Sequence, residues 1–197
     1  MRENLFKSSL YQQIPNGKLY FQQDFLSPRE ADLYFNTLRT TLPWQQQSIK
    51  LFGKSVLQPR LQSWHGDRSY TYSGLTMAPH PWTPELQKLR ERISCLCSSP
   101  FNSVLANLYR NGQDSMGWHQ DNESELGPNP IIASVNLGES RRFLLKHIHD
   151  NSIIELELTH GSLLVMAGEI QHYWKHSVPK TKLNKGERIN LTYRMIK

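Results

Sequence analysis

From residue 103 onward the chain falls into short runs in which apolar and polar residues alternate, each run bounded by Gly, Pro, Asn or Asp. That period of two predicts strands at 103–109, 131–137, 142–148, 153–158, 162–167, 173–177 and 188–195. So many short strands in so little chain imply a β-sandwich or barrel. The last run is the most regular: Arg188, Asn190, Thr192 and Arg194 alternate with Ile189, Leu191 and Tyr193, setting a polar row opposite an apolar one. Helical spacing is confined to the first half. Ser27-Pro28-Arg29-Glu30 reads as a capping box with proline in the first helical position, followed by Leu33, Tyr34 and Leu38. Thr83-Pro84-Glu85 opens a second helix with Leu86, Leu89 and Ile93 on one face, closing near Ser98-Ser99-Pro100. Between the helices, residues 45–74 are broken by Gly53, Pro59, Gly66 and Gly74 and are rich in Arg, Trp and Tyr, the composition of a working surface.

Length narrows this picture to one domain, since 197 residues can bury one substantial core. A formal charge of +6 favours a polyanionic partner. The two cysteines, Cys95 and Cys97, stand one residue apart near a helix end, a spacing that suits neither a disulfide framework nor a CxxC motif and fits a reducing compartment. The first twenty residues have no apolar signal core, and no run approaches the roughly 20 apolar residues of a membrane helix. The expectation is a soluble intracellular protein that does not engage membranes.

Candidate chemistry centres on Trp118-His119-Gln120-Asp121. On an extended segment His119 and Asp121 point to one side, because strand residues i and i+2 share a face. Two imidazoles and one carboxylate on one face of a metal leave neighbouring positions open, as a non-haem Fe(II) oxygenase requires. The third ligand must come from the other histidines. His147-x-His149 forms a rival pair, but it runs into the polar Asp150-Asn151-Ser152 turn. His172 and His176, four apart, would share a strand face, and periodicity leaves both open. Arg188 and Arg194, with Asn190 and Thr192 between them, offer bidentate carboxylate binding at both ends of a small dicarboxylate. Asn107 and Tyr109 show the same alternation and could add polar contacts.

The run Asn107-Leu108-Tyr109-Arg110-Asn111-Gly112, then Trp118-His119-Gln120-Asp121, Ile132-Ala133-Ser134, His160-Gly161-Ser162-Leu163-Leu164, His176-Ser177-Val178-Pro179 and Arg188 to Arg194, resembles the AlkB family of Fe(II)- and 2-oxoglutarate-dependent dioxygenases in both order and spacing. Weaker traces at Pro59-Arg60 and residues 70–74 extend the resemblance towards residue 55. The resemblance implies a mainly β fold with flanking helices (α+β), a double-stranded β-helix or jelly roll. It divides a single catalytic domain, 1–197, into an N-terminal extension and helix (1–44), a nucleotide-recognition lid (45–80) and a jelly-roll core (101–197). It assigns Fe(II) to His119, Asp121 and His176, preferring His176 over His172, and 2-oxoglutarate to Asn107, Tyr109, Arg188, Asn190, Thr192 and Arg194, with O₂ as co-reactant. The implied activity is oxidative demethylation of N-alkylated bases in DNA, such as 1-methyladenine and 3-methylcytosine, with release of formaldehyde, succinate and CO₂.

Physical reasoning supports a methylated base as substrate. Methylation at N1 of adenine or N3 of cytosine leaves a cation and blocks pairing, so such a base flips out at lower cost. A cationic ring favours π faces and a carboxylate. Tyr72 and the His119 ring could sandwich it while Glu123 meets its charge. Arg60 and Tyr70 could hold phosphates or help extrude the base, and Trp64 and Trp118 offer stacking surface. Asn122 departs from the family pattern, where a second acid or a lysine commonly follows the aspartate, and this bears on substrate choice. The expected partner is alkylated DNA, with RNA second, acted on by a monomer in the cytoplasm, on the nucleoid or in a nucleus. Two other readings stand: the same oxygenase chemistry on RNA, protein or a small molecule, and a non-catalytic metal-binding jelly roll. A binding module would have no affinity for 2-oxoglutarate, which separates the last from the rest.

Overall fold

The strict alternation of residues 188–194 has a direct structural meaning, because this segment runs through the middle of a sheet whose two faces are both covered. The computed structural model describes residues 10–51, 54–72 and 75–197. In chain order the elements are β1 (Gln12–Ile14), β2 (Gly17–Gln22), α1 (Pro28–Thr41), β3 (Ser48–Leu51), β4 (Lys54–Leu57), β5 (Leu61–Gly66), β6 (Tyr70–Tyr72), β7 (Leu75–Met77), α2 (Pro84–Cys97), β8 (Ser103–Tyr109) and β9 (Met116–His119). A 3₁₀ turn (Ser124–Leu126) follows, then β10 (Ile132–Gly138), β11 (Arg141–His147), β12 (Ile153–Leu158), β13 (Leu163–Ala167), α3 (Ile170–Tyr173), β14 (Trp174–Val178) and β15 (Arg188–Arg194). Seven strands form a major sheet in the order β1-β2-β13-β10-β15-β8-β5, and four form a minor sheet in the order β12-β11-β14-β9. All of these pairings are antiparallel.

Two apolar layers hold these sheets. On the outer face of the major sheet, Val104, Ala106, Leu108, Ala133, Val135, Ile189, Leu191 and Tyr193 pack under Leu38 of α1 and Leu86, Leu89 and Ile93 of α2. The Tyr193 hydroxyl donates to the Leu86 carbonyl at 3.0 Å, tying α2 to β15. Between the sheets lies the second layer, in which Leu19, Ile132, Leu164 and Met166 meet Phe143, Leu145, Leu158 and Trp174. Every residue of β8 and β15 is buried as a result. This two-layer arrangement is a jelly roll with buttressing helices, as the strand pattern implies.

α1 starts as its sequence predicts: the Glu30 amide donates to Ser27 Oγ at 3.3 Å, and the Ser27 amide donates to Glu30 Oε2 at 2.9 Å. Its apolar spacing is less simple than expected. Ala31 and Leu38 are buried, whereas Leu33 is 65% exposed. A glutamate and an aspartate flank Leu33's turn, and the helix meets the sheet along Ala31, Phe35 and Leu38 instead.

Two boundaries shift. Residues 17–22, assigned to an N-terminal extension, pair with β13 and so belong to the major sheet. Residues 61–66, assigned to the lid, pair with β8 as the sheet's edge strand. Its side chains are mostly buried. Elsewhere in the 45–80 region β3-β4 and β6-β7 are two separate two-stranded sheets, while Gln45 and His80 are bridged to Gln62 and His65 of β5. Among the described residues no helix is long and apolar enough to cross a membrane.

Candidate metal centre and anion pocket

The inner face of the major sheet is apolar except where four strands bring polar side chains into register. Gln62 lies opposite Asn107, Asn107 opposite Asn190, and Asn190 opposite Asn136, giving a row of amides across β5, β8, β15 and β10. The next rows pair Tyr109 with Arg188 on one side and Thr192 with Ser134 on the other. Because all of these are buried, they must satisfy one another. Asn190 Nδ2 donates to Ser134 Oγ at 2.7 Å and to Asn136 Oδ1 at 3.1 Å, and Thr192 Oγ1 donates to Asn190 Oδ1 at 3.0 Å.

Arg188 is the exception. It is 1% exposed, and its guanidinium donates from Nη2 to Asn136 Oδ1 at 2.7 Å while lying 4.9 Å from the centre of the Tyr109 ring. Its Nε and Nη1 have no acceptor. Burial, and after it the nearby Arg141, push the guanidinium below its usual range. A buried cation with two donors aimed at nothing is costly unless an anion completes it. The side chain therefore fits one carboxylate of a ligand at this end of the pocket.

Some residues along, the same pocket contains the cluster anticipated from the sequence. One ligand atom each from His119, Asp121 and His176 lies within 4.8 Å of the others. His119 sits at the end of β9 and His176 lies directly across from it on β14, so the two rings approach to 4.1 Å between centroids. Asp121 follows just beyond β9, and its Oδ1 stands 3.7 Å from His119 Nε2. The His119 Nδ1 is 2.9 Å from the Gly117 carbonyl, which fixes Nδ1 as the protonated nitrogen and leaves the Nε2 lone pair facing the cluster. Phe143 stacks on His176 at 5.5 Å.

Electrostatics keep this cluster in its ligating form. Burial alone would raise the Asp121 carboxyl, but Arg194, His176 and His119 outweigh it and hold the group well below the usual carboxylate range. Burial, then the neighbouring His119, push the His176 imidazole down to about 3. Burial likewise lowers His119. A carboxylate and two neutral imidazoles are the donor set of a divalent transition metal, and the residues fit Fe(II). Arg194 differs from expectation in one respect: its Nη2 donates to Asp121 Oδ2 at 2.9 Å, so it is tied to the carboxylate of the cluster.

The structure separates the other histidines. His172 lies exposed on α3, two residues before β14 begins, so it does not share a strand face with His176. His147 is buried between Asp150 and Asn16, bonded to both, and no second metal-type cluster occurs among the described residues.

The substrate side chains anticipated around this centre are placed unevenly. Arg60 lines the pocket, but it is 3% exposed and bonds Asn107 Oδ1 at 2.8 Å and Gln58 Oε1 at 2.5 Å. This makes it part of the pocket's inner wall and not a surface contact for phosphate. Trp64 is buried against Leu105, Leu126 and Ile196, with its indole N–H on the Arg68 carbonyl, and so offers no stacking face. Trp118 is exposed, but strand alternation turns it away from the pocket that His119 lines. Glu123 is half-buried at the start of the 3₁₀ turn. Tyr70 and Tyr72 stand on β6, and their side chains, with Ser73 and Gly74, lie outside the described residues.

Sequence reasoning missed the polar residues that complete the pocket. Ser134 and Asn136 alternate with Val135 and Leu137 in β10, the same signal that marked β15. Gln171 gave no such signal. It is fully buried, its Oε1 accepts from the Asp121 amide at 3.0 Å, and its backbone carbonyl accepts from Gln120 Nε2 at 3.0 Å.

Comparison with known proteins agrees with this geometry. Residues 18–194 match the family model of the 2OG-Fe(II) oxygenase superfamily. The chain is 38% identical to the human protein named alpha-ketoglutarate-dependent dioxygenase alkB homolog 3, over 99% of this chain and 71% of that protein. With the bovine counterpart it is 41% identical over 87% of this chain and 64% of that protein. It is 38% identical to DNA oxidative demethylase ALKBH2 of Bos taurus, over 85% of this chain and 65% of the relative. The solved structure of OsALKBH1 shares the fold, with a TM-score of 0.61 at 16% identity, covering 93% of this chain and all of that one. Family match, relatives and the His-Asp-His cluster converge: the chain belongs to the 2OG-Fe(II) oxygenase superfamily and, within it, to the AlkB family of Fe(II)- and 2-oxoglutarate-dependent dioxygenases.

Proposed function

We propose that the protein demethylates N-alkylated bases in DNA, with 1-methyladenine and 3-methylcytosine as representative substrates. The observation that carries this reading is one pocket with a His119-Asp121-His176 cluster at one end and an Arg188 guanidinium lacking two acceptors at the other. The relatives named as a DNA oxidative demethylase support the choice of substrate. In the overall reaction 2-oxoglutarate, O₂ and an N-methyl group become succinate, CO₂, formaldehyde and the restored N–H. Iron held by His119, Asp121 and His176 would supply the activation of O₂ and the oxidation of the methyl carbon.

The chain's own residues do the rest. Arg188 binds the distal carboxylate of 2-oxoglutarate with Nε and Nη1, and the Tyr109 ring covers the guanidinium. Thr192, Asn190 and Asn107 line the path between the two ends. Arg194 balances the Asp121 charge, so that the ligand stays ionised in a buried site. Leu105, Met116, Phe143, Met166 and Val178 give the pocket apolar walls that limit water around the oxidant. The partly exposed His119 ring and the half-buried Glu123 are the contacts for a cationic base.

The test is turnover. With Fe(II), 2-oxoglutarate and an oligonucleotide carrying 1-methyladenine or 3-methylcytosine, the expected products are succinate and formaldehyde in step with lost methyl groups. His119→Ala should abolish both products. Wild-type protein that yields neither rules the reading out. Product from methylated RNA or peptide in direct competition, with none from DNA, moves the same chemistry to another substrate.

A further inference from the structure

The outer face of the minor sheet has features the catalytic pocket does not use. Trp118 is 45% exposed on β9, an edge strand, and lies immediately before His119. Lys146 of β11 and Lys175 of β14 are register partners, so their side chains leave the same face of the sheet. Their neighbours Leu145 and His176 point inward. Trp118, Lys146, Lys175, Ile148 and Asn151 line one shallow groove. Like charges placed directly across a sheet disfavour folding unless something else answers them. Neither lysine has an acidic partner within 4 Å among the described residues. The acids nearest on this face are held away from the lysines: Asp150 bonds His147 and Ser152, Glu155, opposite Leu144, pairs with Arg142, and Glu157 stands opposite Arg142.

We propose that this groove is a docking surface for a single strand of DNA flanking the reacting nucleotide, with Trp118 as a base-stacking platform and Lys146 and Lys175 as phosphate contacts. The proposal rests on the demethylation reading and adds a partner surface to it. The argument is one of charge and position. An unpaired cation pair beside an exposed indole is the combination that binds single strands irrespective of sequence, stacking bases while neutralising phosphates. Because Trp118 and His119 are adjacent and point to opposite faces of β9, a strand whose reacting base enters the pocket at His119 crosses the sheet edge and continues over Trp118. An acidic protein segment or a second copy of the chain would also see positive charge, but neither explains an aromatic platform one residue from the catalytic cluster.

The binding arm uses an unmethylated single-stranded oligodeoxynucleotide of about 16 nucleotides, followed by fluorescence anisotropy across a salt series. Lys146→Gln with Lys175→Gln should weaken binding and reduce the slope of log affinity against log salt by about 1.4, since each single-strand phosphate contact contributes about 0.7. Trp118→Ala should weaken binding about 5- to 150-fold, and Trp118→Phe should restore most of it, because a phenyl ring still stacks. The turnover arm compares a long methylated oligonucleotide with a methylated trinucleotide that reaches only the pocket. The double lysine variant should raise KM for the long substrate and leave trinucleotide turnover unchanged.

Wild-type affinity and salt slope in the double variant would overturn the proposal. So would sedimentation showing that Trp118→Ala abolishes self-association while DNA affinity stays the same. Binding is read without any reaction, so a failed surface and a failed demethylase are distinguished.

Discussion

At the scale of the residue, Arg188 is the most informative side chain because its surroundings are incomplete. A structural arginine in a protein interior is normally saturated by acceptors. Here Nη2 is satisfied and Nε and Nη1 are not. The two roles give opposite signs on substitution. If Arg188 held the fold together, Arg188→Met would lower the Tm of the ligand-free protein. As a ligand-binding cation without its anion it should leave that Tm unchanged or raised, because a buried unpaired charge is removed and Asn136 Oδ1 keeps its bond from Asn190. The same variant should lose about 1.5–3 kcal/mol of 2-oxoglutarate binding, roughly a 10- to 150-fold rise in Kd. Calorimetry with and without the ligand reads both quantities, and a fall in Tm with unaltered affinity would sink the assignment. Arg188 was legible in the sequence because strand alternation exposed its row. The Arg194 contact with Asp121 was not, since β15 and the segment after β9 meet only through the fold of two separate sheets.

At the scale of the element, the short helix α3 decides more than its four residues suggest. Read as sequence, residues 172–176 could be one strand with two equivalent histidines. The turn Ile170–Tyr173 breaks that equivalence, sending His172 to solvent and starting β14 at Trp174 with His176 inward. It also buries Gln171 beneath the segment that carries Asp121. Asp121 lies past the end of β9, where the sheet ladder no longer engages its amide, and Gln171 Oε1 takes the place of a ladder carbonyl. Gln171 is thus a positioning residue for the cluster. Gln171→Leu keeps the side-chain volume but strands the Asp121 amide, and Mn(II) affinity measured by electron paramagnetic resonance should fall about 10- to 100-fold. Gln171→Glu, which retains an acceptor oxygen, should recover most of it. Equal metal affinity in Gln171→Leu and wild type would show the contact to be incidental. Strong period-two runs in the C-terminal half were readable because each carries an apolar face that packs into one of the two core layers. β2 and β5 were not, because their sequences, GKLYFQ and LQSWHG, acquire their meaning from pairing with β13 and β8 far along the chain.

At the scale of the whole molecule, the pocket is built from both sheets. His119, Phe143 and His176 come from the minor sheet, whereas Asn107, Arg188, Asn190 and Thr192 come from the major one. A metal with a bound dicarboxylate would therefore cross-link the two layers, as a ligand confined to one sheet would not. Anything that binds only the folded state stabilises it by mass action, about 2.7 kcal/mol at a hundred times Kd. For a chain of this size each kcal/mol moves Tm by about 2–4 °C, so Mn(II) with saturating 2-oxoglutarate should raise Tm by about 5–10 °C. The pattern across variants carries the argument. Arg188→Met should keep the part of the shift due to Mn(II) and lose the part due to 2-oxoglutarate. His176→Ala should lose the metal part and, because 2-oxoglutarate then has only its Arg188 end to bind, most of the remainder as well. Shifts that add independently in the two variants would mean that the two ends of the pocket do not share one ligand. The reading of a single continuous site spanning both sheets would then have to be abandoned.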